Sequence, residues 1–284
     1  MSKPLAIDLF CGLFGWSEGL TAEGFDTVGF DLEDMRGQFG FPPLPNTQLV
    51  IQDVRTLHGS QFKDASLIVA SPPCQEFSYM AMPWSKAKAK RAAILADETG
   101  AARAKLTELF DACFRIQREA SEAAGHHIPM VVENVRGANE WVGRARWSFG
   151  SFYLWGDVPA LMPPAIRAAK VPGFRFDGSG RSFQSASVAE SGIKAPGMNW
   201  SDQSKRGQDF TRIADAHAGI KCGGDWFNAS QPHISRLTSS KSPARKQASA
   251  MIAKIPLPLS RHIARVFFPR QPADFVAHTS EAVA

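Results

Sequence analysis

Three short motifs in the first half of the chain could carry out chemistry, and each follows an apolar run that predicts a buried β-strand. They are the segment 8–15 (DLFCGLFG), the segment 71–75 (SPPCQ) and the segment 131–135 (VVENV). Open parallel sheets place ligands outside the carboxyl ends of their strands. We therefore expect the three motifs to meet at one edge of a sheet.

Cys74 is the candidate nucleophile. Two prolines precede it and restrict the backbone, while the polar residues Gln75 and Glu76 follow. Cys113, by contrast, lies among apolar neighbours on a helical pattern, as a structural cysteine does. The polar surroundings of Cys74 suit a partly exposed, reactive thiol. Glu133, at the end of a buried strand pattern, is the candidate acid, because a carboxylate there is costly unless it is paired or functional.

The segment 8–15 joins a strand end, a turn at Gly12 and the start of a helix. Such a turn lets the backbone approach a ligand closely. Asp31 would lie at the end of the neighbouring strand and accept hydrogen bonds from ribose hydroxyls. A glycine turn alone is as often a tight turn without a ligand, so this assignment depends on the other two motifs.

Apolar periodicity predicts the elements that position these motifs. The predicted strands cover 5–10, 26–31, 67–70 and 128–132, and the predicted helices cover the residues up to 22 and 101–124. On the second helix, one face carries Leu106, Leu109, Phe110, Cys113 and Ile116. This alternation predicts an α/β fold with a parallel sheet.

The chain changes character near residue 155. The segment 156–247 is rich in Gly, Ser, Pro and isolated basic residues, with weak periodicity, and its Trp200, Trp226 and Phe227 favour an ordered module. A helical pattern with two internal prolines then returns. The predicted divisions are a catalytic domain over 1–155, a recognition region over 156–247, a helix over 248–270 that returns to the catalytic domain, and a tail over 271–284.

Taken in order, the three motifs resemble those of the cytosine-C5 DNA methyltransferase family, particularly its compact phage and prophage members. DLFCGLFG is similar to the first motif of the family, SPPCQ to its nucleophile motif and ENV to its glutamate motif. Asp53 and the segment 142–146 (VGRAR) are similar to two further motifs. The resemblance covers residues 5 to 155 and resumes near Ala248.

The resemblance implies a Rossmann-like class I S-adenosylmethionine-dependent methyltransferase fold with a smaller, loop-rich target-recognition domain. It implies catalysis by Cys74, Glu133, Arg144 and Arg146 on a flipped-out cytosine of double-stranded DNA. The implied cofactor-binding residues are Phe10, Gly12, Leu13, Phe14, Gly15, Asp31, Leu32, Asp53, Pro72 and Lys254. The implied nucleic-acid contacts are Gln75, Ser78, Lys86, Lys88 and Lys221.

Two departures from the family pattern leave alternatives open. Phe14 stands where the family has a glycine, and Lys254 stands at or beside the position of an asparagine. We expect the Lys254 ammonium to reach solvent or a DNA phosphate. Alternatively, it pairs with the extra carboxylate of carboxy-S-adenosylmethionine, and the product is 5-carboxymethylcytosine. Methylation of tRNA and a non-catalytic DNA-binding role are the remaining alternatives.

Composition and charge add weaker constraints. The chain has 284 residues and a formal charge of +5, which slightly favours a nucleic-acid partner. Its four cysteines have no paired spacing of the kind that binds zinc, so we expect no metal. We see no secretory signal and no membrane span, and expect a cytoplasmic monomer. The basic segment 86–91 predicts either a mobile loop over DNA phosphates or a solvated helix face.

Overall fold

A computed structural model of the chain describes residues 2–77, 84–162, 246–247, 250–251 and 253–269, with only the backbone described at 84–86. The chain divides into two compact units, one formed by 1–163 with 254–284 and the other by 164–253. The elements that carry the candidate site belong to the first unit. The functional division into catalytic, recognition and returning segments stays a prediction.

The first unit contains a mixed sheet flanked by helices. Its strands are β1 (Leu5–Leu9), β2 (Asp26–Asp31), β3 (Thr47–Ile51), β4 (Ala65–Ala70), β5 (Met130–Asn134), β6 (Trp147–Phe149) and β7 (Phe152–Gly156). Its helices are α1 (Gly15–Ala22), α2 (Met35–Gln38), α3 (Trp84–Leu95), α4 (Ala101–Ala124), α5 (Asn139–Val142) and α6 (Leu257–Phe267). Short 3-10 turns cover Val54–Thr56, Gly59–Phe62 and Arg136–Ala138.

The strand order is β3-β2-β1-β4-β5-β7-β6. Strands β1 to β5 are parallel, while β7 is antiparallel to both β5 and β6. This arrangement confirms the predicted α/β fold. Because the parallel strands end at one edge, the residues that follow β1, β2, β4 and β5 lie near each other.

The register makes that proximity specific. Leu9 pairs with Phe30 on one side and Ala70 on the other, and Ala70 pairs with Val132. The next residues along the four strands are Phe10, Asp31, Ser71 and Glu133. One residue from each of the three motifs and the predicted ribose acceptor therefore lie in one row across the sheet, with neighbouring strands about 4.8 Å apart.

The central strands are buried on both faces, as parallel strands covered by helices are. On one face α4 packs its buried Phe110, Cys113 and Ile116 against the sheet, which is the apolar face that the periodicity predicts. The rings of Phe77 and Trp155 meet Phe110 edge-on. The core thus continues from the sheet to the residues just after the nucleophile motif.

Helix α6 packs closely along α1. A Cβ at Gly15 would lie 2.5 Å from the Ile255 nitrogen, and one at Gly19 would lie 2.1 Å from Ser260 Oγ. Only residues without a side chain allow so close an approach. The segment that begins at Lys254 therefore lies directly against the first turn of α1.

Candidate active site

The turn between β1 and α1 passes three times through the left-handed backbone region. The φ angles are 58° at Phe10, 49° at Gly12 and 62° at Phe14. Glycine adopts this conformation at little cost, whereas another residue pays roughly 1–3 kcal/mol. The Phe14 ring is buried and occupies the space beside Gly29 of β2, where a Cβ would lie 2.4 Å from it. Packing of this ring accounts for a phenylalanine at a glycine-type position.

Asp31 faces this turn. Its Oδ2 accepts a hydrogen bond of 2.8 Å from the Gly12 amide, and its Oδ1 accepts one of 2.7 Å from the Leu32 amide. Burial raises the pKa of Asp31, and the bond from Gly12 opposes that rise. Asp31 thus lies at the end of the strand next to β1, where the sequence spacing predicts it, and its role as a ribose acceptor stays a prediction.

Two exposed apolar side chains lie beside Asp31. Leu32 is 64% exposed, and Ile51, which pairs with Asp31 in the sheet, is 56% exposed. Apolar surface next to a few fixed polar groups is typical of a small-molecule site. Leu32 and Ile51 thus provide a surface that suits the flat face of a nucleobase.

Asp53 follows β3 at the same edge. Its side chain accepts hydrogen bonds from Nε and Nη2 of Arg55, the shorter at 2.6 Å. These bonds lower the pKa of Asp53. The carboxylate keeps further lone pairs that could accept a bond from an adenine amino group.

The loop 71–77 carries the candidate nucleophile Cys74 and is called the nucleophile loop. Hydrogen bonds from both sides hold its first residues. The Ser71 amide donates to Leu9 O at 3.1 Å, and Trp16 Nε1 donates to Ser71 Oγ at 2.9 Å. Asn134 Nδ2 donates a buried bond of 2.8 Å to Pro72 O. These contacts join the loop to β1 and α1 on one side and to β5, which carries Glu133, on the other.

Cys74 lies four residues beyond β4 and is partly exposed. Its carbonyl accepts a hydrogen bond of 3.0 Å from the Phe77 amide, and the Phe77 ring is buried in the core. The loop is therefore anchored after the cysteine as well as before it. Cys11 and Cys113 are both buried, and burial raises the pKa of each far above the usual range of a thiol.

Glu133 is buried in β5, with 3% of its surface exposed. It pairs with Leu154 of β7, and the Arg146 amide donates to Leu154 O at 2.9 Å. Arg146 thus lies about two strand spacings, or roughly 10 Å, from Glu133 along the sheet. Arg144 and Arg146 are both exposed.

The segment before these arginines is fixed by several hydrogen bonds. Trp155 Nε1 donates to Gly143 O at 2.9 Å, and Arg103 Nη2 donates to Trp141 O at 2.6 Å. The Ala145 amide donates to Asn139 Oδ1 at 2.7 Å. These hydrogen bonds therefore hold in place the backbone that carries the two arginines.

The basic segment after the nucleophile forms helix α3, so of the two interpretations the structure has the helical one. Lys88 is exposed, Lys90 forms an ion pair with Glu76, and Arg91 Nε binds Glu140 at 2.6 Å. Gln75 is exposed before the helix. Ser78, the Lys86 side chain and Lys221 lie outside the described residues.

Lys254 forms an ion pair that neither sequence interpretation included. Its Nζ lies 2.7 Å from the Glu18 carboxylate, which also accepts a bond of 3.1 Å from Arg36 Nη1. The Lys254 side chain is 27% exposed. Sequence analysis missed Glu18 and Arg36, because contacts between α1, α2 and a segment more than two hundred residues away leave no local pattern.

Within the described parts of the chain, no three or more His, Cys, Asp or Glu side chains are grouped so that they could hold a metal ion. The helices described there are also too short or too polar for any of them to cross a bilayer.

The fold and the row of motifs define an α/β protein with a nucleotide-type turn beside a cysteine, a glutamate and an arginine pair. Residues 5–100 match the family model described as C-5 cytosine-specific DNA methylase. This segment includes the β1–α1 turn, Asp31, Asp53 and Cys74. The match confirms the resemblance to cytosine-C5 DNA methyltransferases. Glu133, Arg144 and Arg146 lie beyond it.

Individual relatives are similar over very different shares of the chain. The type II methyltransferase M.XorII of Xanthomonas oryzae pv. oryzae is 32% identical over 87 residues, which cover 28% of this chain and 20% of that protein. The S. pombe Dnmt2 methyltransferase superposes with a TM-score of 0.41 at 13% identity, covering 93% of this chain and 98% of that one. The Entamoeba histolytica methyltransferase EhMeth gives 0.32 at 13% identity, covering 50% and 41%.

Proposed function

We propose that this chain transfers a methyl group from S-adenosylmethionine to C5 of a cytosine in double-stranded DNA, with Cys74 as the attacking nucleophile. The observation that carries the proposal is the buried bond from Asn134 to Pro72 O, 2.8 Å long. This hydrogen bond joins the nucleophile loop to β5, the strand that carries Glu133. Nucleophile and acid are thereby held at one edge of the sheet, beside the turn that suits a cofactor.

Each proposed catalytic residue answers a need of the chemistry. Cytosine C5 is a weak nucleophile, so the Cys74 thiolate first adds to C6, and a carbon–sulfur bond forms at the expense of the C5–C6 π bond. Glu133 donates a proton to N3 as the carbon–sulfur bond forms. After C5 has taken the methyl group, loss of the C5 proton to a base and departure of the Cys74 thiolate restore the double bond. Arg146, with Arg144, binds O2 and stabilises the negative charge that develops on the ring.

The residues around the β1–α1 turn fit an adenosine-type cofactor. In this proposal Asp31 accepts bonds from ribose hydroxyls, and Leu32 offers an apolar face to the adenine. Further contacts are proposed from Phe10, Gly12, Leu13, Phe14, Gly15, Asp53 and Pro72. When bound, S-adenosylmethionine supplies the electrophilic methyl group.

The target atom is inaccessible inside a duplex, so the cytosine must leave the stack, at a cost of a few kcal/mol. Contacts with DNA phosphates supply part of the energy that offsets this cost. Gln75 and Lys88 are exposed next to the nucleophile loop and are proposed DNA contacts.

Trapping on DNA that contains 5-fluorocytosine tests the proposal. With S-adenosylmethionine, the wild-type chain should form a covalent adduct that survives denaturing electrophoresis, because fluorine at C5 blocks elimination of the cysteine. Cys74→Ser should abolish the adduct, whereas Cys222→Ser, a cysteine outside the three motifs, should retain it. An adduct formed equally by Cys74→Ser, or none formed on duplex DNA, would overturn the proposal.

The carboxymethyl alternative gains no support from the position of Lys254, since its ammonium already binds Glu18 at 2.7 Å. Mass spectrometry of the product nucleosides, with each of the two cofactors supplied, separates methyl from carboxymethyl transfer. The same assay on tRNA tests the second alternative. We expect 5-methylcytosine in DNA as the product.

A further inference from the structure

Arg36 of α2 joins three segments around the β1–α1 turn at residues 10–14, the proposed cofactor turn. Its Nε and Nη2 both donate to Pro42 O, at 3.0 and 2.7 Å. Its Nη1 donates to Leu13 O and to Glu18 Oε1, each at 3.1 Å. Leu13 lies inside the turn, between Gly12 and Phe14, so Arg36 holds the turn by a backbone atom. The Arg36 side chain is only 12% exposed.

Glu18 receives a second cation from the other side. The Lys254 ammonium lies 2.7 Å from its carboxylate, so one anion binds two cations. The Glu18 side chain is 23% exposed, which shields the pairs from solvent more than an ordinary surface ion pair. Lys254 also contacts α1 directly, because a Cβ at Gly15 would lie 3.0 Å from its Cγ.

We propose that Arg36, Glu18 and Lys254 form a positioning cluster that fixes the cofactor turn without contacting the cofactor itself. This inference rests on the proposed function. The turn needs such support because Phe10 and Phe14 both adopt left-handed backbone angles, at roughly 1–3 kcal/mol each. Surrounding contacts must offset that cost, and the cluster binds both the turn and the helix that follows it.

The test compares cofactor affinity among variants of the full chain. Glu18→Gln and Lys254→Met should each weaken binding of S-adenosylhomocysteine by roughly tenfold, because small displacements of binding groups are costly. Their KM for the methyl donor should rise more than their kcat falls. Lys254→Arg should restore binding, since a guanidinium also pairs with a carboxylate. Calorimetry gives the affinities, and thermal unfolding shows that each variant is folded.

The matched control is Arg261→Met. Arg261, on α6, binds the carboxylate of Glu23 through Nε at 2.5 Å. Glu23 directly follows α1, so this pair also joins the α1 region to the C-terminal segment, but at the far end of α1 from the turn. This variant should lose a similar amount of stability and keep the wild-type affinity for S-adenosylhomocysteine. Equal weakening by Arg261→Met and Lys254→Met would overturn the inference, because helix packing alone would then explain the loss.

Two further outcomes separate this inference from the proposed function. If the wild-type chain binds S-adenosylhomocysteine and both Glu18→Gln and Lys254→Met bind it equally well, only the positioning role is overturned. If the wild-type chain binds neither S-adenosylhomocysteine nor S-adenosylmethionine, the proposed function is overturned and the inference with it.

Discussion

Asp8 illustrates how a single buried residue supports the cofactor turn. It lies fully buried on β1, and its Oδ2 accepts hydrogen bonds from Ser17 Oγ at 2.7 Å and from the Ser17 amide at 3.3 Å. Its Oδ1 has no hydrogen-bond partner among the described residues. Burial raises the pKa of Asp8 from 3.8 to about 7, so the carboxyl is largely neutral below neutral pH.

This shift predicts a pH-dependent stability. Between pH 4 and 7 the folded chain keeps a proton on Asp8 that the unfolded chain has lost. The contribution of Asp8 to the free energy of unfolding is therefore fully present below about pH 4. It falls by about 4 kcal/mol as the pH rises to 7. Asp8→Asn should remove this dependence, so the variant should gain stability relative to wild type from pH 5 to pH 8.

Urea unfolding at several pH values measures the difference. Residues whose pKa is lowered, such as Glu23 and Asp53, make stability rise with pH instead. Both residues are present in wild type and in Asp8→Asn, so their effect cancels in the difference between the two proteins. A difference between variant and wild type that stays constant with pH would contradict the assignment.

Phe14 and Gly29 predict a coupled pair of mutations. Phe14→Gly should relieve the left-handed backbone but leave a cavity, with a net loss of about 2 kcal/mol. Gly29→Ala should also destabilise, because the new Cβ would lie 2.4 Å from the Phe14 ring and 2.9 Å from Cys11 Sγ. In the double variant the contact with the ring is removed, while the contact with Cys11 remains.

The free energies of unfolding of the four proteins form a double-mutant cycle. We expect the double variant to lose at least 1 kcal/mol less than the sum of the single losses. Strict additivity would show that the two residues do not compete for the same space.

At the scale of single residues, the sequence predicts proximity only for residues that belong to a recognisable motif. The spacing of Gly12 and Asp31 predicted their proximity, and the hydrogen bond between them is present. The pairing of Glu18 with Lys254 could not be predicted, because the two residues are 236 positions apart and each resembles an ordinary surface charge. The backbone angle at Phe14 depends on the space at Gly29 and has no local signature.

At the scale of elements, the best predictions were those with strong periodicity and clear ends. The sequence gives 101–124 for α4, which the structure matches, because an apolar face repeats over 24 residues between Gly100 and Gly125. The bounds of β2 also agree. Strand β3 was not predicted, since it is only partly buried and its apolar run is only three residues long, from Leu49 to Ile51. Helix α3 stayed ambiguous because its basic residues define no apolar face.

The hydrogen bond between β5 and the nucleophile loop gives a prediction of its own. Asn134→Ala would leave Pro72 O unpaired in a buried position, at a cost of about 1–3 kcal/mol. It should also slow formation of the 5-fluorocytosine adduct, because the Cys74 loop loses its attachment to the glutamate strand. Both quantities can be measured on the same preparation.

Gln117→Ala is the matched control for that prediction. Gln117 Nε2 donates to Ile128 O at 3.0 Å and to Asp157 at 2.9 Å, near the opposite end of β5. This variant should lose stability and keep the wild-type rate of adduct formation. If both variants slowed the adduct in proportion to their lost stability, the bond to Pro72 would have no special role in catalysis.

For the whole molecule, the net charge alone does not indicate which surface would bind the proposed DNA substrate, whereas the basic residues near each edge of the sheet suggest one. The carboxyl edge carries the nucleophile loop and leads into α3, which contains Lys86, Lys88, Lys90 and Arg91 and no acidic residue. Two of these cations bind Glu76 and Glu140, on the segments that flank the proposed base site. Lys63, by contrast, lies two residues before β4, at the amino edge.

This arrangement predicts how DNA binding depends on salt. Each phosphate contact contributes about 0.9 to the slope of log K against log salt concentration. Lys88→Ala should therefore weaken binding to duplexes of any sequence and reduce that slope by about one. Lys63→Ala removes another exposed charge, which lies 2.9 Å from Asp64, and should leave the slope unchanged. Fluorescence anisotropy over a range of salt concentrations measures both slopes. Equal slopes for the two variants would place the phosphate-binding surface away from the carboxyl edge.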